Sequence, residues 1–180
     1  MIFLPNRRKA FRAGGLSADA GDDFSSTQGA TGWHYGYFTT EGSGTDVSPA
    51  DPSSFSTANM SWAGADWRGN EQYDTPRVAA TTGHPGVTSR SSAVWKYTVI
   101  GDHDDVYLFF EGTGVTNGAT SFAIWHNSTK VAGYAQTNGA TQASINATRN
   151  LSDGDEIFFE VNCRNSPNSD SVHSITASLN

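Results

Sequence analysis

The sequence predicts an all-β protein built as an antiparallel β-sandwich, and three observations lead to this prediction. Leu, Lys and Glu, which favour helices, are scarce among the 180 residues, whereas Gly alone occurs 19 times. Aromatic residues make up 12% of the chain and suit the half-buried face of a sheet. Short stretches of alternating apolar and polar residues, separated by turn-forming residues, are typical of a sandwich.

The first predicted strand begins at Trp33, after a polar, glycine-rich segment at residues 13–31 that we interpret as a linker. Trp33, Tyr35 and Tyr37 share one face of this strand because side chains alternate along a strand. From residue 39 to residue 90 the sequence is rich in turn residues or lacks a clean period. So long an irregular stretch is uncommon unless it serves a function.

The second half of the chain is more regular. Residues 94–100 alternate as a strand, and a Gly-Asp-His-Asp-Asp turn follows it. Asn127-Ser-Thr forms a hairpin turn, and Asp153-Gly-Asp forms another turn. The other predicted strands cover residues 106–110, 122–125, 130–136, 143–147, 157–161 and 175–179.

The charge distribution excludes two classes of partner. The net charge is −7, and four of the eleven basic residues lie between Arg7 and Arg12. The remainder of the chain is therefore strongly acidic and repels nucleic-acid phosphates, which need clustered Lys and Arg. No run approaches the roughly 18 apolar residues of a membrane helix. We expect neither nucleic-acid binding nor a membrane span.

The first residues predict an arm. Residues 1–12 lack the apolar core of a secretion signal, and their charges follow the apolar residues rather than precede them. Either this arm docks on a partner or it is a solvated leader, and the mixture of Phe3, Leu4 and Phe11 with basic residues favours docking. We therefore divide the chain into an arm and linker at residues 1–23 and a sandwich domain at residues 24–180.

Four short stretches occur in an order that resembles a known family. They are FSSTQG from Phe24, WHYGY from Trp33, HPG from His84 and LSDGDEIFFEVN from Leu151. Over residues 24–180 the chain resembles bacterial and phage jelly-roll β-sandwich modules, which are similar to the concanavalin-like and carbohydrate-binding modules. The resemblance implies a jelly-roll topology and a carbohydrate-binding function without catalysis.

The arm adds a second resemblance, because residues 3–12 are similar to the starts of small bacteriophage proteins. Two functions follow as hypotheses. The first is a non-catalytic carbohydrate-binding module, phage-encoded, that recognises a host or environmental polysaccharide. The alternative is a structural virion protein, a capsid decoration or tail component, that uses the jelly roll for assembly through residues 1–12. No signal peptide is predicted. The location stays open, and the virion is the one that the second hypothesis implies.

Aromatic rings exposed to solvent are what a sandwich needs to bind sugars, because the apolar face of a sugar ring stacks on them. Trp33 and Trp95 lie in apolar strands, so we expect them in the core. Trp62 and Trp67 lie in polar, irregular surroundings, where either sugar contact or packing at the sandwich end fits. Trp125, with His126 beside it, is a second aromatic candidate. It lies in a predicted strand, where packing is favoured over sugar contact. The candidate carbohydrate-binding residues are Trp62, Trp67, Arg68, Tyr73, Trp125 and His126.

Three carboxylates in four residues are the candidate metal ligands. Asp102, Asp104 and Asp105 supply the oxygen atoms that calcium prefers, and the acidic turn at Asp153 and Asp155 lies further along the chain. Asp is also an ordinary turn former, so a structural calcium ion and a simple turn both fit. No other cofactor is predicted.

An enzymatic function, a polysaccharide hydrolase or lyase, has the least support. A glycosidase needs two carboxylates facing one cleft, and the spacing of Glu111, Glu156 and Glu160 indicates no such pair. Glu160 alternates with the apolar residues of its strand, so we expect it on the solvated face. We expect no catalysis.

Overall fold

The computed structural model confirms an antiparallel jelly-roll β-sandwich. None of the described residues lies in an α-helix, so none belongs to a helix able to cross a membrane. The structure describes residues 15–38, 51–69, 76–84, 92–114, 119–138, 142–163 and 172–180.

The strands of the described residues form two sheets. In chain order they are β1 (Ala18–Asp19), β2 (Trp33–Phe38), β3 (Phe55–Ser56), β4 (Ser61–Trp62), β5 (Asp66–Arg68), β6 (Arg77–Ala79), β7 (Gly83–His84), β8 (Ala93–Thr98), β9 (His103–Gly114), β10 (Ala119–His126), β11 (Thr129–Asn138), β12 (Gln142–Leu151), β13 (Glu156–Cys163) and β14 (Val172–Leu179). The larger sheet has the order β12-β9-β14-β7-β6-β5-β4, with β1 also paired to β14. The smaller sheet has the order β11-β10-β13-β8-β2-β3.

The core lies between the two sheets. Trp33 and Trp95 are fully buried in it, which confirms their predicted positions. Phe110 of the larger sheet packs edge-to-face on Phe122 and Phe159 of the smaller sheet, with ring centroids 5.2 and 5.4 Å apart. The Trp95 Nε1–H crosses the sandwich and donates to the Ala79 carbonyl oxygen at 3.0 Å. These contacts join the two sheets.

Part of the segment interpreted as a linker belongs to the larger sheet. Ala18 pairs with Leu179, Asp19 pairs with Ser178, and Ala18 and Ala20 are buried in the core. The Asp19 carboxylate then accepts hydrogen bonds from the backbone N–H groups of Gly21 and Asp22, at 2.9 and 3.1 Å. Composition did not indicate this strand because two small residues carry no alternating apolar pattern.

The irregular stretch between residues 39 and 90 contains β3 to β7, each only two or three residues long. Strands this short show no visible period in the sequence, which explains why none was predicted here. They pair in succession, β4 with β5, β5 with β6 and β6 with β7, and extend the larger sheet beyond β14.

Gly36 permits a close approach of β2 and β3. A Cβ atom at this position would lie 2.3 Å from the Ser56 carbonyl oxygen and 2.8 Å from the Phe55 ring. We expect Gly36→Ala to lower the free energy of unfolding by about 1–3 kcal/mol, because a backbone atom cannot yield as a side chain can. Urea unfolding measures this change.

The matched control is Gly133→Ala, since a Cβ atom at Gly133 would have no neighbour within 4 Å. Its effect should stay within about 0.5 kcal/mol. Equal effects of the two substitutions would contradict the close contact at Gly36.

Candidate functional site

Trp62 lies at the outermost edge of the larger sheet. It is on β4, which pairs with β5 through the registers Ser61–Arg68 and Trp62–Trp67. The tight connection between these strands is closed by the Ala63 N–H, which donates to the Asp66 carbonyl oxygen at 2.9 Å. The hairpin therefore holds Trp62 at the end of the sandwich, where loops and edges commonly carry function.

A cluster of aromatic rings packs against the Trp62 ring. Its centroid lies 5.7 Å from that of Phe24 and 5.8 Å from that of Trp67, and Phe24 packs on Tyr35 at 4.5 Å. Burial is the main reason that the pKa of Tyr35 is raised to about 12, so this phenol is uncharged. Trp62 itself remains 37% exposed. The rings thus run from the surface into the core.

The indole N–H groups of three other tryptophans donate hydrogen bonds to the protein, whereas that of Trp62 does not within the part of the chain that the structure describes. Trp67 donates to the Ser25 carbonyl oxygen, Trp95 to that of Ala79, and Trp125 to the Glu160 carboxyl. Among the described residues, none accepts a hydrogen bond from Trp62. Trp62 therefore combines an exposed ring with an N–H that is available to a ligand.

Trp67 does not offer an exposed ring, and of its two predicted alternatives, sugar contact and packing at the sandwich end, the structure shows packing. It is 8% exposed and belongs to the main core cluster. Its ring is nearly parallel to that of Tyr35, with centroids 6.4 Å apart. The polar sequence surroundings of the two tryptophans are similar, but the hairpin buries the Trp67 ring, and the Trp62 ring packs over it.

Arg68 lies on the other face of the hairpin from the two tryptophans. It follows Trp67 directly along β5, and adjacent side chains of a strand point to opposite faces. Its Nε lies 2.6 Å from Oδ1 of Asp66, the next side chain on the same face. The structure therefore does not bring Arg68 together with the exposed ring of Trp62. Tyr73, the remaining candidate in this region, and the arm at residues 1–12 lie outside the described residues.

Trp125 is not an exposed second contact surface, which corrects that alternative. Its side chain is on the outer face of the smaller sheet but is only 3% exposed. It packs in a second apolar cluster formed by Phe38, Val94, Ala123, Trp125 and Phe158. Its ring thus has no face available to a sugar in this structure.

Glu160 is buried, and the expectation that it is solvated is wrong. Its carboxyl accepts hydrogen bonds from the Trp125 Nε1–H at 2.9 Å, from the Ser92 hydroxyl, and from the Asn162 amide at 3.3 Å. Buried polar groups keep such partners because an unmade hydrogen bond is costly. One sequence signal does point to this: Phe158 shares the face of Glu160, so that face is not simply solvated.

His126 takes part in a polar clasp at the end of β10. Its Nε2 lies 2.7 Å from Oδ2 of Asp155, and the Asn127 amide donates to Oδ1 at 2.8 Å. Burial opposes the charged form of Asp155. The Ser152 N–H, the Asn127 amide and the His126 ring outweigh that effect and lower the pKa of the carboxyl. His126 is therefore engaged in structure, 20% exposed.

A shallow hollow of about 210 Å³ lies beside this clasp. The side chain of Asn127 there is already used, because its oxygen accepts from the Glu156 N–H at 2.9 Å and its nitrogen donates to Asp155. Glu156 is paired with Lys96 at 2.6 Å. The hollow is lined by Pro52, Ser53, Asn127, Ser128, Glu156 and Phe158.

Of the three candidate metal ligands, Asp102 lies just before β9, whereas Asp104 and Asp105 are in the first residues of β9. Asp102 Oδ1 accepts from the Asp153 N–H at 3.0 Å, and the Asp105 N–H donates to the Asn150 side chain at 3.0 Å. Asp104 is exposed at the start of β9. Within the described ranges, no group of three His, Cys, Asp or Glu side chains is placed to hold a metal ion. A structural calcium ion stays a prediction.

Comparison with solved structures finds β-sandwich proteins. The CBM22-1 xylan-binding domain of Paenibacillus barcinonensis Xyn10C matches 91% of this chain and 92% of its own length, with 9% identity and a TM-score of 0.37. A carbohydrate-binding module of Cellvibrio mixtus lichenase 5A, solved with cellotriose, matches 68% and 92%, with 11% identity and a TM-score of 0.35.

A third match is the enzymatically active domain of tailspike protein 4 from bacteriophage CBA120, over 87% of this chain, with 15% identity and a TM-score of 0.33. The chain covers only 21% of that protein. No protein-family model and no curated protein sequence matches the chain. These matches are to proteins described as carbohydrate-binding modules and a phage tailspike domain, and no statement about the function of this chain follows from them.

The buried Glu160 network should make Trp125 important for stability. We expect Trp125→Phe to lower the free energy of unfolding by about 1–3 kcal/mol, because it leaves a buried carboxyl oxygen without its donor. Chemical denaturation measures the loss. Trp62→Phe is the matched control and should change stability little, since the Trp62 N–H bonds no described group. Equal losses in the two variants would contradict the network.

The clasp at Asp155 should make stability depend on pH. Because the folded-state pKa of Asp155 lies below its ordinary value of 3.8, its stabilisation is present above that value and is lost as the pH falls through the folded-state pKa. We expect Asp155→Asn to lower the melting temperature at neutral pH, with the difference from the unsubstituted chain shrinking in acid. Asp104→Asn, at an exposed carboxylate, is the control and should show no such difference. A deficit that stays constant down to low pH would contradict this assignment.

Proposed function

We propose that the chain is a non-catalytic carbohydrate-binding domain and that Trp62 contacts the sugar. The observation that supports this most directly is the state of Trp62 itself: its ring is 37% exposed and its N–H bonds no described group. The apolar face of a sugar ring stacks on such an aromatic face, and a neighbouring sugar hydroxyl accepts the N–H. One side chain thus offers both kinds of contact that a sugar requires.

The surroundings of Trp62 favour binding by keeping its ring in place. Phe24 and Trp67 pack against it, and Trp67 is itself anchored by its hydrogen bond to Ser25. A ring that is held before the ligand arrives loses little side-chain entropy on binding. The aromatic cluster therefore acts as a rigid support for one exposed ring.

The positions of Glu111, Glu156 and Glu160, the glutamates considered as a catalytic pair, support a function without catalysis. Glu111 faces outward on the larger sheet, whereas Glu156 and Glu160 are on the smaller sheet. Glu156 and Glu160 are four residues apart on one strand, which separates them by about 13 Å. That distance exceeds the roughly 5 to 9.5 Å between the carboxylates of glycosidases. Glu160 is in addition buried and hydrogen-bonded.

The ligand we propose is an uncharged polysaccharide of a host surface or of the environment. The net charge of −7 disfavours polyanionic sugars, since like charges repel. A role in virion assembly through residues 1–12 stays a prediction, because the contacts of that arm lie outside the described residues.

Removal of the Trp62 ring should abolish most of this binding. We expect Trp62→Ala to weaken the affinity for the best-bound glycan of a broad array at least about tenfold, since a stacked aromatic ring supplies on the order of 1.4 kcal/mol. Isothermal titration with the purified glycan measures the change, and tryptophan fluorescence should respond to the glycan in the unsubstituted chain only.

Ile100→Ala is the matched control, because Ile100 is another exposed apolar residue, 72% accessible, at a turn away from β4. Its affinity should equal that of the unsubstituted chain. Binding that persists unchanged in a folded Trp62→Ala protein would remove Trp62 from the site, and a folded chain that binds no glycan would overturn the function.

A further inference from the structure

We propose that the outer face of the larger sheet is a second carbohydrate-binding surface, which takes an extended, uncharged polysaccharide chain across Tyr107 and Phe109. This inference rests on the proposed carbohydrate-binding function but concerns different residues. It extends the function from a single ring at the sheet edge to a surface that follows the strands.

Two aromatic rings stand side by side on the outer face of β9. Val106, Leu108 and Phe110 of this strand are buried in the core, so the alternating Tyr107 and Phe109 point outward. The two rings are nearly parallel, at 19°, with centroids 6.3 Å apart, and Tyr107 is 41% exposed. Since both rings are on the same face of one strand, a sugar chain that lies along β9 passes both of them.

Polar, uncharged side chains flank these rings on both neighbouring strands. Tyr107 is opposite Thr148, Phe109 is opposite Asn146, and Glu111 is opposite Ser144 on β12. On the other side, Phe109 is opposite Ser178 and Glu111 is opposite Thr176 on β14, while Tyr107 exchanges backbone hydrogen bonds with Asn180. We call these nine residues the outer patch: Tyr107, Phe109, Glu111, Ser144, Asn146, Thr148, Thr176, Ser178 and Asn180.

The hydrogen-bonding groups of the outer patch are available on the β12 side, whereas on β14 Ser178 is only 6% exposed. Ser144, Asn146 and Thr148 are exposed, and none of these side chains bonds another described group. On β14, the Asn180 amide donates to the Ser178 hydroxyl at 3.1 Å, which leaves the amide oxygen to accept from a ligand. Hydroxyl and amide groups beside aromatic rings are what a sugar, with its apolar faces and its hydroxyl edge, can use.

The charge of the outer patch selects an uncharged polymer. Of its nine residues, only Glu111 carries a charge, and none is a cation. A uronic-acid or sulfated polymer would therefore meet a carboxylate and no compensating positive group. A protein partner would be expected to cover the rings with an apolar surface, but rows of hydroxyl and amide groups border the rings on both sides. The polar rows thus favour sugar over protein.

The outer patch and Trp62 are separate surfaces. From β9 to β4 the larger sheet advances by five strands, about 24 Å at roughly 4.8 Å per strand. Trp62 is also opposite Trp67, whose side chain enters the core, whereas Tyr107 faces away from the core. One substitution can therefore remove one surface and leave the other intact.

The test measures binding to neutral polymers and to one charged counterpart. Affinity electrophoresis uses hydroxyethylcellulose, galactomannan, arabinoxylan and dextran as neutral probes, with carboxymethylcellulose as the anionic counterpart of hydroxyethylcellulose. We expect at least one neutral polymer to retard the unsubstituted chain and carboxymethylcellulose to retard it less than hydroxyethylcellulose does. Tyr107→Ala and Phe109→Ala should each weaken retardation by the neutral polymer about tenfold, and Tyr107→Phe, which keeps the ring, should restore most of it.

The controls separate this proposal from the role of Trp62. Ile100→Ala should bind as the unsubstituted chain does, and melting temperatures verify that each variant is folded. Binding lost in Trp62→Ala but unchanged in Tyr107→Ala and Phe109→Ala would overturn the second surface and leave the proposed function standing. Loss in the Tyr107 and Phe109 variants alone would support the outer patch and remove Trp62 from the site.

Three other outcomes would also overturn the proposal. If carboxymethylcellulose binds as tightly as any neutral polymer, the outer patch does not select an uncharged chain. If sizing shows an oligomer that Tyr107→Ala dissociates while polymer binding stays the same, the patch is an interface between copies of this chain. If no polymer binds the folded chain, both the outer patch and the proposed function are overturned.

Discussion

The packing of Trp95 across the sandwich is the contact on which the rest of the structure depends. Its ring lies in the smaller sheet but reaches β6 and β7 of the larger sheet, where its N–H bonds the Ala79 carbonyl oxygen. Gly83 makes room for it, because a Cβ atom there would lie 2.4 Å from the indole. Short strands have little stability by themselves. The attachment of β6 and β7 therefore holds β5 and β4, and with them Trp62.

The two sheets differ in what lies on their outer faces. The smaller sheet buries part of its outer face, because Trp125 and Phe158 form a second apolar cluster there around the hydrogen-bonded Glu160. The larger sheet instead presents Tyr107 with hydroxyl and amide groups to solvent. The buried cluster on the outer face of the smaller sheet thus contributes stability, whereas the outer face of the larger sheet is open to solvent at Tyr107. Both proposed binding surfaces are on the larger sheet.

Much of the fold was predictable, since its long strands in the second half of the chain alternate clearly. Trp33 and Trp95 were predicted in the core and are there, because apolar neighbours at period two place them on a buried face. The two-residue strands could not be predicted, as their pairing depends on partners far along the chain. Of the candidate site, the sequence left open whether Trp62 and Trp67 contact a sugar or pack at the sandwich end, and Arg68 points to the other face of its hairpin.

The sequence alone determined the composition of the molecule: an acidic, aromatic-rich β-sandwich with surplus tryptophan in an irregular region. Only the tertiary structure decided which aromatic rings reach solvent. Trp62 and Trp67 have similar sequence surroundings, yet one covers the other, and Tyr107 is exposed within a strand that is apolar on both faces. The physical reason is that exposure depends on which sheet face is covered by other parts of the chain, and local alternation carries no information about that cover.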